Sequence, residues 1–256
     1  MKHMQALLVD SMPRENCDAA IVQAARVSYG AGTKSVSDDR ALIRYLMRHW
    51  HTTPFEMVEF KFHIKCPIFV ARQWLCHRTA SVNEMSARYS IVPDEYFLPE
   101  ELRKQSVTRG QGGEEPYPAA APLLRKQKAA CDLAFHAYDE LIRNGVSREL
   151  ARVHLPQSTF TEFYWKIDLH NLLHFLRLRM DDHAQKEIRD LAVKVYELIK
   201  PLCPVTCEAF EDFRLGSVTL TRLEIEAIKN GQNSIQGRGE NSEFKDKLKI
   251  LNINES

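Results

Sequence analysis

Apolar and polar side chains alternate without a break from Val58 to Lys65, with Val58, Phe60, Phe62 and Ile64 on one face and Glu59, Lys61, His63 and Lys65 on the other. A period of two predicts a half-buried strand. Thr159 to Ile167 alternates in the same way, with Phe163 and Trp165 among its larger residues, and reads as a second strand. Elsewhere the period is helical. Cys17 to Tyr29 carries Ala20, Ile21, Ala24 and Ala25 on one face and ends in Gly30-Ala-Gly-Thr. Ser37 and two aspartates open a further helix, with Leu42, Ile43, Leu46, Met47 and Trp50 together, and acidic residues in its first turn suit the helix dipole. Leu123 to Arg143 reads as a long helix closed by Asn144-Gly145. Ser147 caps a short helix bearing Arg148 and Arg152, which Pro156 ends. Asp168 caps a helix over His170 to Arg179, and Ala184 to Ile199 buries Ile188, Leu191, Val195 and Leu198 ahead of Pro201.

The remaining segments are less regular. Tyr89 to Phe97 reads as a strand interrupted by Pro93, and Arg103 to Pro122, rich in Gly and Pro, as a long mobile loop. Pro67-Ile-Phe-Val-Ala looks like a helix start. Leu220 to Lys229 reads as a last helix, followed by a polar tail expected to be partly disordered. This order is not a regular strand–helix alternation. It predicts an α+β fold, a single domain with an antiparallel β-sheet and surrounding helices, not a Rossmann fold. The main domain spans 1–216, with a C-terminal extension over 217–256.

Composition narrows the chemistry. With 256 residues and a net charge of +1, the chain has no bulk field for a nucleic acid polymer, so anion binding must be local. Six scattered cysteines, none in a Cys-x-x-Cys pair, suggest reduced thiols. No apolar run reaches membrane-spanning length, and the expectation is a soluble cytoplasmic protein.

Candidate chemistry concentrates between Arg72 and Tyr89, where Arg72, His77, Arg78 and Arg88 surround Ser81, Asn83, Glu84 and Ser86. Two more arginine-bearing segments, Arg148/Arg152 and Arg177/Arg179, lie at element ends. Three such segments in a nearly neutral chain point to an anionic small ligand, such as a nucleotide phosphate. For Arg177 alone, pairing with Asp181 or Asp182 is an equal alternative. His170 and His174 have the spacing of a metal pair, but the residues between them lack the Glu of the zinc-protease motif, so no metal is expected. Cys76 and His77 are adjacent and point about 100° apart on a helix, a poor geometry for a thiol–imidazole pair. Neither a Gly-x-Gly-x-x-Gly fingerprint nor a Gly-Lys-Ser/Thr loop is present.

His77-Arg78, seven residues and then Ser86 resembles the Arg-His-Arg signature of flavin-dependent thymidylate synthases. His51-Thr-Thr-Pro-Phe-Glu, Pro67-Ile-Phe-Val-Ala-Arg-Gln-Trp, Arg88-Tyr89, Ala151-Arg152, Asp168-Leu-His-Asn-Leu-Leu-His-Phe-Leu and Arg179 with His183-Ala-Gln are similar to that family in the same order. The resemblance covers roughly 24–210. It implies an FAD-dependent conversion of dUMP to dTMP, with methylenetetrahydrofolate as carbon donor and NADPH as reductant. It further implies a homotetramer whose FAD and dUMP sit between subunits. Carried over by position, Ser28, Thr53, Cys76, His77, Arg78, Glu84, Asp168, His170 and His174 would line the FAD site. Gln73, Trp74, Glu84, Met85, Ser86, Ala87, Arg88 and Arg152 would hold dUMP. Arg179 would lie against the uracil and favour its N3-deprotonated form, in place of a cysteine nucleophile. One departure stands out: Cys76 occupies the position of the signature's first Arg, removing a cation, with Arg72 one turn earlier as the nearest substitute. Two other readings stay open: a flavin- or nucleotide-binding protein without turnover, and a metal-dependent hydrolase built on His170 and His174.

Overall fold

The Val58–Lys65 alternation becomes strand β2, Glu59–Pro67, at the centre of the sheet in a computed structural model that describes residues 4–27, 38–106 and 113–253. Phe60, Phe62 and Ile64 are fully buried, while Lys61 is exposed, as period two requires. The second predicted strand is Phe160–Asp168, which we label β6; it pairs antiparallel with β2, setting Phe62 opposite Trp165. Two strands without a strong sequence signal complete a four-stranded sheet in the order β1-β2-β6-β3. These are β1, Gln5–Met12, with a register irregularity between Leu8 and Asp10, and the short edge strand β3, Ser81–Glu84. All pairings are antiparallel, in agreement with the α+β expectation.

Helices pack around this sheet. They are α1 (Cys17–Arg26), α2 (Asp39–Arg48), the single turn α3 (Thr53–Glu56) and α4 (Ile68–Trp74). Then follow α5 (Ala120–Arg143), α6 (Arg148–Ala151), α7 (Leu169–Arg179), α8 (Lys186–Ile199) and α9 (Pro204–Phe210). Among the described residues, no helix is long and apolar enough to cross a membrane. The helix ends follow local chemistry. Asp38 accepts from Arg40 N and Asp168 from Asn171 N, each satisfying an amide that the first turn leaves unpaired. Gly145 follows α5 at φ 80, a conformation that favours a residue without Cβ. The aromatic centre of the core is Trp74, Phe163, Trp165 and Phe175, with Trp74 and Trp165 meeting edge to face at 5.1 Å.

One expectation needs correction, and two further segments hold elements that the sequence pattern does not predict. Tyr89 to Phe97 forms no strand; its only ladder contact is an isolated bridge from Tyr96 to Thr159, because Pro93 withholds a donor. Within Arg103–Pro122, the described residues build a hairpin, β4 (Arg103–Gln105) against β5 (Gly113–Pro116), and α5 begins at Ala120. The chain divides into compact units Met1–Phe210 and Glu211–Ser256, and the second contains α10 (Arg222–Lys229) and α11 (Arg238–Ile250). Its small core of Ala227, Phe244 and Leu248 supplies burial that composition alone does not reveal. A capping box joins Thr221 to Glu224, and Lys247 reaches the same carboxylate at 2.8 Å.

Candidate active site

The end of α4 and the end of α7 meet at one cluster. Arg179, the last residue of α7, donates from Nε to His77 Nε2 at 3.1 Å and from Nη2 to the carbonyl of Gln73 at 3.2 Å. Gln73 in turn donates from its side-chain amide to Gln185 Oε1 at 2.5 Å. The His77 ring stands edge-on to Phe175 at 4.9 Å and to His174 at 6.2 Å. Burial, then Arg179, then His174 lower the His77 pKa from 6.5 to about 4, so the imidazole is neutral near neutral pH. Gln185 joins the site although sequence reasoning does not single it out. It ends the His183-Ala-Gln block, yet no local spacing ties it to Gln73.

Thr53 and the α7 histidines belong to two helices in contact. Thr53 opens α3, which packs against α7, and Leu169 N donates to Val58 O at 2.8 Å to lock that approach. His174 is exposed and His170 half-buried. Asp168 is committed to its helix: Oδ1 accepts from Asn171 N and Oδ2 from Asn171 Nδ2. Among the described residues no group of three or more potential metal ligands converges. Ser28 lies outside the described residues.

A second group gathers along β3 and the turn after it. Glu84 accepts from the Thr161 hydroxyl at 2.6 Å, and Met85 N donates to Glu162 O, fixing the edge strand to β6. Ser86 Oγ accepts from Arg88 N, and Arg88 lies over the Tyr89 ring at 5.4 Å. Ala87 packs on the cluster of Val92, Phe135, Tyr138 and Ala151, and Arg152 follows Ala151 in the chain. Arg148 donates to Tyr89 O at 2.5 Å, a cross-link that sequence distance conceals. Among the described residues this turn is tied to α6 and β6, whereas the Arg179 cluster is tied to α4. The hydrogen bonds among these residues thus fall into two sets, one around Arg179 and one along the turn after β3.

The cations of both groups share one property. Arg26, Arg40, Arg44, Arg103 and Arg189 pair with carboxylates. Arg72, Arg78, Arg88, Arg152, Arg177 and Arg179 form no ion pair with a described residue. Asp182 pairs with Arg189, so it does not serve Arg177. Unneutralised guanidinium groups beside polar loops suit an anionic ligand.

Trp74 and Cys76, also carried over by resemblance, make the following contacts within the chain. The Trp74 ring is fully buried against Phe163, Trp165 and Phe175, so its mass serves the core. Cys76 is exposed, with its thiol on the Arg72 carbonyl at 3.2 Å, one helical turn back. It shares no proton with His77, whose Nε2 is taken by Arg179.

The chain is similar to proteins of one family over most of its length. A family model described as "Thymidylate synthase complementing protein" matches residues 7–205. The flavin-dependent thymidylate synthase of Dictyostelium discoideum is 55% identical over 258 residues, covering 97% of this chain and 85% of that protein. The enzyme of the same name from Thermus thermophilus is 54% identical, covering 87% and 81%. The crystal structure of a UMP/dUMP methylase, PolB, from Streptomyces cacaoi bound with 5-Br dUMP superposes with a TM-score of 0.73 at 36% identity, covering 83% of this chain and 96% of that one. The chain therefore belongs to the flavin-dependent thymidylate synthase family.

Proposed function

We propose that this protein methylates dUMP to dTMP, with methylenetetrahydrofolate as carbon donor, FAD as the redox group and NADPH as its reductant. The single observation that carries this reading is the Arg179 guanidinium, held by His77 and Gln73 with no carboxylate partner among the described residues. A fixed, un-neutralised cation stabilises negative charge developing on a uracil ring and replaces a thiol nucleophile. The donor set also fits a flavin dinucleotide: Arg78 is exposed and forms no ion pair with a described residue, and Thr53 opens α3, which packs against the helix that carries His170 and His174. When bound, FAD supplies the hydride chemistry. Arg78, His174 and Thr53 would bind it, while Gln73, Ser86, Arg88 and Arg152 would hold the nucleotide phosphate and sugar.

The family resemblance supports a homotetramer with FAD and dUMP held between subunits. The solved relative bound with a brominated dUMP supports the pyrimidine nucleotide as substrate.

The test is direct. The protein as isolated is expected to show flavin absorbance that NADPH bleaches, and to form dTMP when dUMP and methylenetetrahydrofolate are added. Arg179→Ala is expected to lower turnover at least about hundredfold, the scale for losing a preorganised electrostatic donor, with flavin retained. Flavin binding without dTMP formation would leave a binding protein in place of an enzyme.

A further inference from the structure

Arg179 has a long side chain, and a guanidinium on such a stem is not aimed by its backbone alone. Here two acceptors meet it on one side. His77 Nε2 takes the Nε–H at 3.1 Å and Gln73 O takes an Nη2–H at 3.2 Å. Arginine offers only donors, in a rigid planar fork, so two bonds along one edge set both the plane and the rotation of the group. The same logic fixes the histidine. Because a guanidinium has no acceptor, Nε2 must present its lone pair, and the imidazole proton resides on Nδ1. The opposite end of the guanidinium, including Nη1, has no hydrogen-bond partner among the described residues.

His77 is itself well held. Its N–H donates to Trp74 O at 3.0 Å, and its ring lies edge-on to the fully buried Phe175. The charged and titratable groups of α7 that face it are Arg179 and His174, both of which oppose a second proton on the ring. A protonated His77 has no lone pair at Nε2 and would repel the arginine it now holds.

From this geometry we propose that His77 is a positioning residue: its neutral imidazole, as the Nδ1–H tautomer, grips the side edge of Arg179 and aims the free end of the guanidinium at the uracil. The proposal rests on the reading of Arg179 as the group that meets the nucleotide. It assigns to His77 a task distinct from contact with the flavin, because Nε2 is occupied within the chain.

The experiment combines nitrogen spectra with kinetics. In protein carrying 15N-labelled histidine, His77 is expected to show an unprotonated Nε2 and a protonated Nδ1, unchanged from about pH 8 to about pH 5.5. In Arg179→Met its titration is expected to rise toward the ordinary value of 6.5. Kinetically, His77→Phe keeps a ring against Phe175 but removes the acceptor, and is expected to lower kcat/KM for dUMP about tenfold, the scale of one hydrogen bond to a charged group, at unchanged flavin content. His77→Gln restores an acceptor and is expected to recover most of that loss. An Nε2 found protonated at neutral pH, a His77 titration indifferent to Arg179→Met, or equal dUMP kinetics in the Phe and Gln variants would each overturn the proposal. A wild-type protein that makes no dTMP overturns the functional reading alone; the spectra, recorded without substrate, then decide whether His77 holds Arg179.

Discussion

Arg103 Nη2 donates to Glu187 Oε1 at 2.8 Å, tying the base of the β4–β5 hairpin to the first turn of α8, close to Gln185 in the chain. Glu187 is buried at 7% exposure, and its second carboxylate oxygen has no hydrogen-bond partner among the described residues. Arg103 is therefore what compensates this charge, and removing it strands a desolvated carboxylate. Arg103→Leu is expected to lower unfolding free energy by about 2–3 kcal/mol in urea denaturation. Glu187→Gln should cost distinctly less, since a neutral amide does not require a cation. Equal losses in the two variants would show that the pair contributes little as a pair.

Cys76 stands where the family signature has its first arginine. Its thiol is exposed and bonded to a backbone carbonyl, with no base in reach through His77. Cys76→Ser is expected to keep turnover within about twofold, as replacement of one weak donor by another implies. Cys76→Arg restores a cation and is expected to tighten dUMP binding by about tenfold, the value of a charge-assisted hydrogen bond. Loss of activity in the serine variant would instead make the thiol a nucleophile.

The depressed pKa of His77 couples stability to pH. A folded value of about 4 against an ordinary 6.5 means the unfolded chain binds more protons in that interval. Stability from this group is thus fully present above about pH 6.5 and falls as pH drops toward about 4. Denaturation at a series of pH values is expected to show this slope, reduced in His77→Gln, whose amide does not titrate. An unchanged slope in that variant would assign the acid sensitivity to other groups.

Trp74 tests the core beneath the site. Its ring contacts Phe163, Trp165 and Phe175, and its indole N–H has no partner among the described residues. Trp74→Ala is expected to cost about 3–5 kcal/mol through the cavity it leaves. Trp74→Phe should cost less, because no hydrogen bond is lost with the indole. Thermal unfolding followed by circular dichroism distinguishes the two; a near-neutral Ala variant would mean that the ring is not packed as described.

Local pattern is enough for the elements that carry their own periodicity and caps. The alternation of Val58–Lys65 is β2, the Asp168 cap begins α7, and Asn144-Gly145 ends α5, because side-chain period and capping are set within a few residues. Strands β1 and β3 are not legible in this way. Ser81–Glu84 are all exposed, and only pairing with β6 makes them a strand. The helix α11 depends likewise on Phe244 and Leu248 closing over Ala227.

For the site, residue type and spacing supply the ingredients: the His77-Arg78 to Ser86 signature, the three arginine segments and the substituted Cys76. Their partners come from the packing of distant elements. That packing places Arg179 on His77 across 102 positions, Arg148 on Tyr89 across 59, and the Trp74 ring in the core. The physical reason is the same in each case. Residue type and spacing report what a side chain can donate, accept or bury, whereas the partner it meets depends on how distant elements pack, which no local window contains.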